Sequence, residues 1–335
     1  MSSWYTKESS IAVSTRVRLA RNLSGIPFPS IMSNEQFEEL KQRAKSAICD
    51  SNTPFAKTLN FIDMASVPEN EINAMVERHI ISPEFAKRGG RSAIILSKDE
   101  SISIMIGEED HIRIQVILDG LKLEEAYDIA EQIDSLLDSR LHFAFDENLG
   151  FLTECPTNLG TGLRASLMLH LPACESSGEI VSLSDTVNKI GFTVRGMYGE
   201  GSKAGASLYQ ISNQITLGLS EKNALDNLKS ITARIIEKEE NLRSSLNKLK
   251  VEDMAYRALG VLKNCRIITS NEMMNLLSRI KLGIDMGIIE EKINPIELLI
   301  SNQRFMLMKK FGEMQPEERD IQRASNLREI LQQEV

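Results

Sequence analysis

The 335-residue chain is long enough to bury a sizeable core, and its length sets an expectation of about two domains. Its composition, 42% hydrophobic and 26% charged, is that of an ordinary soluble globular protein. The 39 Lys plus Arg against 47 Asp plus Glu give a net charge of -8, which argues against non-specific binding to nucleic acid or anionic lipid. Local basic clusters must therefore be read as sites. Cys49, Cys155, Cys174 and Cys265 are widely spaced and form no CxxC pair, there is no secretory leader, and a reducing cytoplasm is the expected compartment. No apolar run approaches the eighteen residues of a membrane span.

In chain order, residues 11–22 alternate apolar with basic or polar side chains, which predicts an extended segment carrying Arg16 and Arg18 on one side. Residues 33–49 turn helical and charged. Isoleucine-rich runs at 92–96, 102–106 and 112–118 predict strands. Leu123, Ala126, Tyr127, Ala130, Ile133 and Leu137 recur at helical spacing, so an amphipathic helix over 121–139 is expected to pack on that sheet. A longer helix spans 221–250, with a possible break near Asn241. Thr269 with Glu272 is a capping-box pattern, and Pro295 and Pro316 divide the remaining helical tail. The expectation is an α+β domain over 1–250, an antiparallel sheet flanked by helices, followed by an all-helical domain over 251–335.

Five arginines lie beside segment boundaries or glycine-rich turns: Arg16, Arg18, Arg113, Arg164 and Arg195. Their planar forks suit phosphate oxygens, and a nucleoside triphosphate brings about three to four negative charges for such a cluster to bind. Each, read singly, is equally a surface arginine or an ion-pair partner. Carboxylates stand at Glu108, Glu109 and Asp110 in a turn that feeds a strand. Glu200 sits in the stretch 195–205, whose four glycines favour a loop. Cys155 opens the segment 155–164, where glycines with Thr and Asn before an apolar run predict backbone amides aimed at an anion near a helix N-terminus. The order of a Walker A loop is absent. By itself an acidic turn is solvated surface, and a lone cysteine is a buried inert thiol.

Taken together, residues 14–22, 108–113, 155–166 and 195–200 closely resemble the phosphagen (guanidino) kinase family, and within it the bacterial protein-arginine kinases. The blocks stand in family order over roughly residues 11–219. The resemblance implies that Arg16, Arg18, Arg113, Arg164 and Arg195 hold the phosphates of ATP. It implies that Glu109 and Glu200 grip a guanidinium from two sides with the Cys155 thiolate beside it, and that magnesium rides on the ATP phosphates. A carboxylate is needed because a guanidinium is protonated, delocalised and a poor nucleophile, so it must be oriented and must lose a proton. His111, between Asp110 and Arg113, fits a local structural role better than that of a base.

Departures from the small-metabolite kinases narrow the substrate. Only thirteen residues precede Ser14, where those enzymes carry a helical domain whose loop closes over a small guanidino compound. The family's asparagine before the acidic turn is Gly107, and an arginine of its mobile loop is Tyr198. In the tail, residues 319–324 resemble a phosphoarginine-binding motif, with Arg319 and Arg323 to pair a phosphoryl group and Asp320 to accept from a guanidinium; read alone they are a charged helix turn. The resemblance implies proteins with exposed arginines as substrates, homodimerisation, and a role in stress response and protein quality control. It also implies a zinc-binding activator, a heat-shock repressor and an AAA+ unfoldase as partners. The competing readings are a small-guanidino kinase and a non-catalytic phosphoarginine adaptor.

Overall fold

The computed structural model describes residues 3–7, 9–197, 205–290 and 292–333. Among the described residues the strands are β1 (Ala12–Arg21), β2 (Leu59–Asp63), β3 (Ala93–Ser97), β4 (Ile102–Ile106), β5 (Ile112–Asp119), β6 (Phe145–Asp146), β7 (Gly150–Phe151), β8 (Leu163–His170), β9 (Phe192–Gly196) and β10 (Leu208–Asn213). The chain divides into two compact units. The first is built on Ser14–Ser166 and Ser212–Lys229, the second on Tyr5–Val13, Leu167–Ile211 and Ser230–Val335, so β1, β8 and β10 contribute residues to both.

In the first unit the sheet order is β2-β3-β4-β5-β1-β8-β10, and β2 through β1 pair antiparallel. Alternation along β1 creates two unlike faces. Val17 and Leu19 are buried at 0% and 1% exposure, while Arg16 and Arg18, pointing the other way, are half-buried. The register sets Val17 opposite Val116 and Leu19 opposite Ile114, stacking one apolar stripe under the helix Leu123–Leu141. That helix answers with Leu123, Ala126, Ala130, Ile133 and Leu137, all fully buried. Each buried Leu, Ile or Val of this set contributes about 1.5–3 kcal/mol by leaving water, which is what makes this register dominate its alternatives. On the opposite face, Met64, Met75, Ile80, Ile81 and Phe85 cover Ile94 and Met105, and so close the β3–β4 end.

One buried cation fastens β1 to its helix. Arg21, at 2% exposure, meets Asp134 through two contacts of 2.9 Å, donates to the carbonyls of Ala20 and Thr161 at 2.9 Å, and stacks 3.5 Å over the Phe151 ring. Two glycines permit the strand packing around it. A Cβ on Gly160 (φ +108) would lie 2.2 Å from the carbonyl oxygen of Thr216, and one on Gly162 (φ +61) would lie 2.6 Å from that of Ala20. Both approaches are fixed by hydrogen bonds, Thr161 N to Thr216 O at 2.9 Å and Ala20 N to Gly162 O at 3.0 Å.

In the second unit the order is β1-β8-β10-β9, with the helices Lys248–Asn264, Ser270–Asp285, Pro295–Ser301, Arg304–Phe311 and Pro316–Gln333 following. Its polar centre is Arg243, which bonds Glu239 at 2.7 Å, Asp285 at 2.9 Å and the carbonyl of His170 at 3.0 Å. Glu239 in turn accepts from the amides of Ala173 and Cys174, at 3.0 and 2.8 Å, satisfying the first turn of Pro172–Ser176. Both partners of each ion pair are thus also hydrogen-bonded, the condition under which buried charge is tolerated.

The α+β expectation holds, and the strands and helix expected over 92–139 form within a few residues of their sequence limits. Two expectations are corrected. The apolar run after Arg164 is strand β8 rather than a helix, because Leu163, Ala165, Leu167 and Leu169 alternate into a fully buried sheet interior. The helix expected over 221–250 ends at Ser244, and Asn247 caps a new helix from Lys248 by accepting from Lys250 N at 3.1 Å.

Two measurements check this framework. Arg21→Met leaves Asp134 buried without its partner and is expected to cost about 3–5 kcal/mol in urea unfolding; a loss under 1 kcal/mol contradicts the fastening role. Burial pushes His79 down to about 3, assisted by the charge of Arg16, and pushes His170 down to about 4. Both remain neutral in the fold while the unfolded chain protonates near 6.5. Stability is therefore complete above about pH 6.5 and falls as pH drops toward 4, with roughly 3 kcal/mol from His170 alone. Unfolding free energy that stays flat between pH 7 and 4.5 contradicts this.

Candidate active site

The unlike faces of β1 decide where charge collects. Arg16 and Arg18 share a face with Ala20, and Ala20 stands opposite Arg113 on β5, so the register turns Arg113 to the same side. Arg164 is the second residue of β8, the other neighbour of β1. These four guanidiniums act on one another. Arg16 is pushed down to about 10 by burial, then by Arg164 and Arg113. Arg18 is held well below the usual arginine range by burial and by Arg16, Arg113 and Arg164, and its Nε is buried without a hydrogen bond to any described residue. Concentrated, partly desolvated cations with an unused buried donor are complementary to a polyanion such as a triphosphate, which would neutralise the repulsion.

Carboxylates edge this face. Gly107 (φ +80) begins the turn from β4 to β5, and its N–H donates to His111 O at 2.9 Å. Glu108, with a side chain 2% exposed, accepts from Arg113 and from Ser82 Oγ at 2.5 Å each, while Glu109, 43% exposed, accepts from Arg113 at 3.0 Å. Of the two, the accessible carboxylate is Glu109. His111 is spent on the backbone. Its Nδ1 accepts from Leu23 N at 2.9 Å and its Nε2 donates to Pro27 O at 2.7 Å, which fixes a neutral tautomer, and burial pushes its pKa down.

Asp110 joins the acidic turn to the cysteine loop. Fully buried, it accepts from Asn22 Nδ2 at 2.7 Å, Glu154 N at 2.8 Å and Asn158 Nδ2 at 3.3 Å, and the last two residues flank Cys155. Burial raises the Asp110 pKa and these three donors oppose the rise. Cys155 precedes a single 3-10 turn, Pro156–Asn158; its Sγ lies 3.0 Å from Thr157 Oγ1. The single proton of Thr216 Oγ1 is shared between the carbonyls of Thr157 and Leu159, at 3.0 and 2.7 Å, the shorter contact being to Leu159.

Arg16, Arg18, Arg113, Arg164, Glu109 and Cys155 thus all stand in the first unit. Arg195 lies on β9 in the second unit, and Glu200 falls outside the described residues. In the tail, Arg319, Asp320 and Arg323 share the helix Pro316–Gln333. Arg323 is 1% exposed, donates to Asn302 O at 2.9 Å and Ile268 O at 2.8 Å, and pairs with Asp320; Arg319 and Asp320 are half-buried. Sequence reasoning passed over Glu108, Asp110, Asn22 and Asn158, although all four lie inside the quoted blocks. Their signal was position beside charged site residues, and side-chain type alone ranked the amides too low.

Comparison with known proteins fits this geometry. Residues 32–242 match the family model of the ATP:guanido phosphotransferase C-terminal catalytic domain, which defines the class as nucleotide-using phosphotransferases. Residues 248–335 match the model of the protein-arginine kinase McsB C-terminal domain. The protein-arginine kinase of Clostridium acetobutylicum is 43% identical over 331 residues, 97% of either chain, and that of Halothermothrix orenii is 45% identical over 324 residues, 95% of this chain and 92% of its own. Among solved structures, lombricine kinase superposes with a TM-score of 0.62 at 20% identity, covering 70% of this chain and 68% of its own, a likeness of fold. The chain belongs to the protein-arginine kinases, within the phosphagen kinase family.

If repulsion among the arginines is real, Arg18→Met relieves it. The ligand-free protein is expected to melt about 2 °C higher while its affinity for ATP falls tenfold or more, the trade of stability for function common at binding sites. Calorimetry with a nucleotide titration reads both, and an unchanged ATP affinity removes Arg18 from the site.

Proposed function

We propose that the protein transfers the γ-phosphoryl group of ATP to the guanidinium of arginine side chains in other proteins. The observation that carries the reading is the gathering of Arg16, Arg18, Arg113 and Arg164 on one strand face, beside the accessible carboxylate of Glu109 and a turn bonded to the Cys155 loop. Family membership supports the acceptor chemistry.

Each residue then has a physical task. The arginines, joined by Arg195, hold the triphosphate and stabilise the charge on the phosphoryl group in flight. Glu109, assisted by Glu200, aligns the acceptor guanidinium by paired hydrogen bonds and takes its proton as the N–P bond forms and the bond from the γ-phosphorus to the ADP oxygen breaks. Cys155 as thiolate lies against the guanidinium and favours its orientation. Glu108 and Asp110 are positioning residues, the first through Arg113 and the second through the Cys155 loop. The described residues hold no His, Cys, Asp and Glu group able to bind a metal alone. Magnesium, as the family resemblance implies, would ride on the ATP phosphates, where it would supply charge neutralisation.

The tail motif Arg319, Asp320 and Arg323 is assigned to phosphoarginine or substrate binding within a helical domain over 251–335. Its half-buried members Arg319 and Asp320 would meet the ligand, with Arg323 bracing Asp320. A place in stress-linked protein quality control follows, with a zinc-binding activator, a heat-shock repressor and an AAA+ unfoldase as partners of a homodimer. No described helix is long and apolar enough to cross a membrane.

Incubation with ATP and, separately, an unfolded arginine-containing protein, free arginine and creatine tests the proposal. Mass spectrometry must avoid acid, which hydrolyses phosphoramidates. Phosphoarginine on protein is expected, with Glu109→Gln lowering kcat by 100-fold or more at intact folding. Product on free arginine alone would falsify the protein acceptor.

A further inference from the structure

Against the acidic turn, at Gly107, lies a cavity of ≈ 200 Å³ that no part of the mechanism uses. Its floor is apolar, with Met32 at 5% and Phe37 at 3% exposure, and its rim carries Lys87, Arg88 and Arg91, all exposed. Among the described residues none of the three cations enters an ion pair; Arg91 alone is fixed, donating to Met32 O at 2.7 Å. Three such charges within five residues, in a chain of net charge -8, form a local field of opposite sign to the whole.

The pocket is built onto the catalytic turn. Ser82, which caps the helical turn Pro83–Ala86 leading to Lys87, donates to Glu108 at 2.5 Å. Gly107 is the point of closest approach, where a Cβ would lie 2.9 Å from Arg91 O and 2.6 Å from the Phe37 ring. The asparagine the family carries at this position would fill that contact, so Gly107 is what lets the cationic segment close against the turn. Gly107, which lines the cavity, and Glu109 are two residues apart, so their Cα atoms lie within about 7 Å of each other. An extended peptide advances about 3.3 Å per residue and covers that gap in two or three residues.

We propose that this pocket receives a glutamate side chain of the protein substrate, two or three residues from the arginine being phosphorylated. The carboxylate meets the three cations at the rim, and the two methylenes lie on Met32 and Phe37, which favours glutamate over aspartate. The proposal rests on the protein-acceptor reading above and adds a sequence preference to it.

Steady-state kinetics of the full chain on matched arginine peptides carrying Glu, Gln or Lys at the second and third flanking positions tests it. The Glu peptide is expected to show a KM about 3- to 10-fold below that of the Gln peptide, as a few solvent-exposed charge pairs allow. In the Lys87→Ser/Arg88→Ser variant that difference disappears through KM for the Glu peptide, the Gln peptide serving as internal control. Lys87→Glu/Arg88→Glu turns the preference toward the Lys peptide. Equal KM for the Glu and Gln peptides on the native protein, or an equal loss for both in the double variant, overturns the docking pocket alone. Phosphorylation of free arginine with none on any peptide overturns the protein-acceptor reading, and the pocket's role with it.

Discussion

The gathering of Arg16, Arg18, Arg113 and Arg164 on one side of the sheet is the feature the first unit is arranged around, and hydrophobic burial on the reverse of the same strands imposes it. Sliding β1 by one residue would send Arg16 and Arg18 into the helix Leu123–Leu141 and expose Val17 and Leu19. The apolar stripe admits no such slip, so the guanidiniums are held together against their own charge. The sheet thus fixes their spacing without help from a flexible loop.

A second constraint is geometric. The acidic turn and the cysteine loop belong to distant parts of the sequence, yet Asp110 holds both with one carboxylate, and Thr216 supports the loop from the other side. Neither Glu109 nor Cys155 is locked by its own packing, since Glu109 is half-exposed and, among the described residues, Cys155 has Thr157 as its one side-chain partner. Their backbones carry the precision, and the two groups that must meet a substrate keep some rotational freedom.

Much of this was legible in the chain itself. Period-two alternation in residues 11–22 already put Arg16 and Arg18 on one side, and isoleucine-rich runs marked β3, β4 and β5. Periodicity failed at β8, where a continuous apolar run suits a buried strand and a buried helix alike, and the glycines of 160–162 suggested a helix start although they serve a close backbone approach. It allowed a break near Asn241 but could not place it, because the signal for the restart at Lys248 is the capping side chain of Asn247 and not the spacing of leucines. Within the site, charge drew attention to the arginines, and only the family resemblance singled out Glu109 in its turn. The duties of Glu108, Asp110, Asn22 and Asn158 depend on which turns lie side by side, a fact of tertiary structure. The separate character of Arg323 is of the same kind, because only the fold reveals that its guanidinium is committed to Asn302 and Ile268.

The bond from Thr216 to the cysteine loop has a consequence for biosynthesis. Arg16, Arg18 and Arg113 are translated early and their strands can pair as soon as β5 emerges, but Thr157, Leu159 and Thr161 wait for a partner some sixty residues downstream. A nascent chain can therefore pair the strands that carry Arg16, Arg18 and Arg113 before the Cys155 loop has its brace. Until residue 216 emerges, the carbonyls of Thr157 and Leu159 lack the hydroxyl that ties them down, so this loop is among the last parts of the first unit to set.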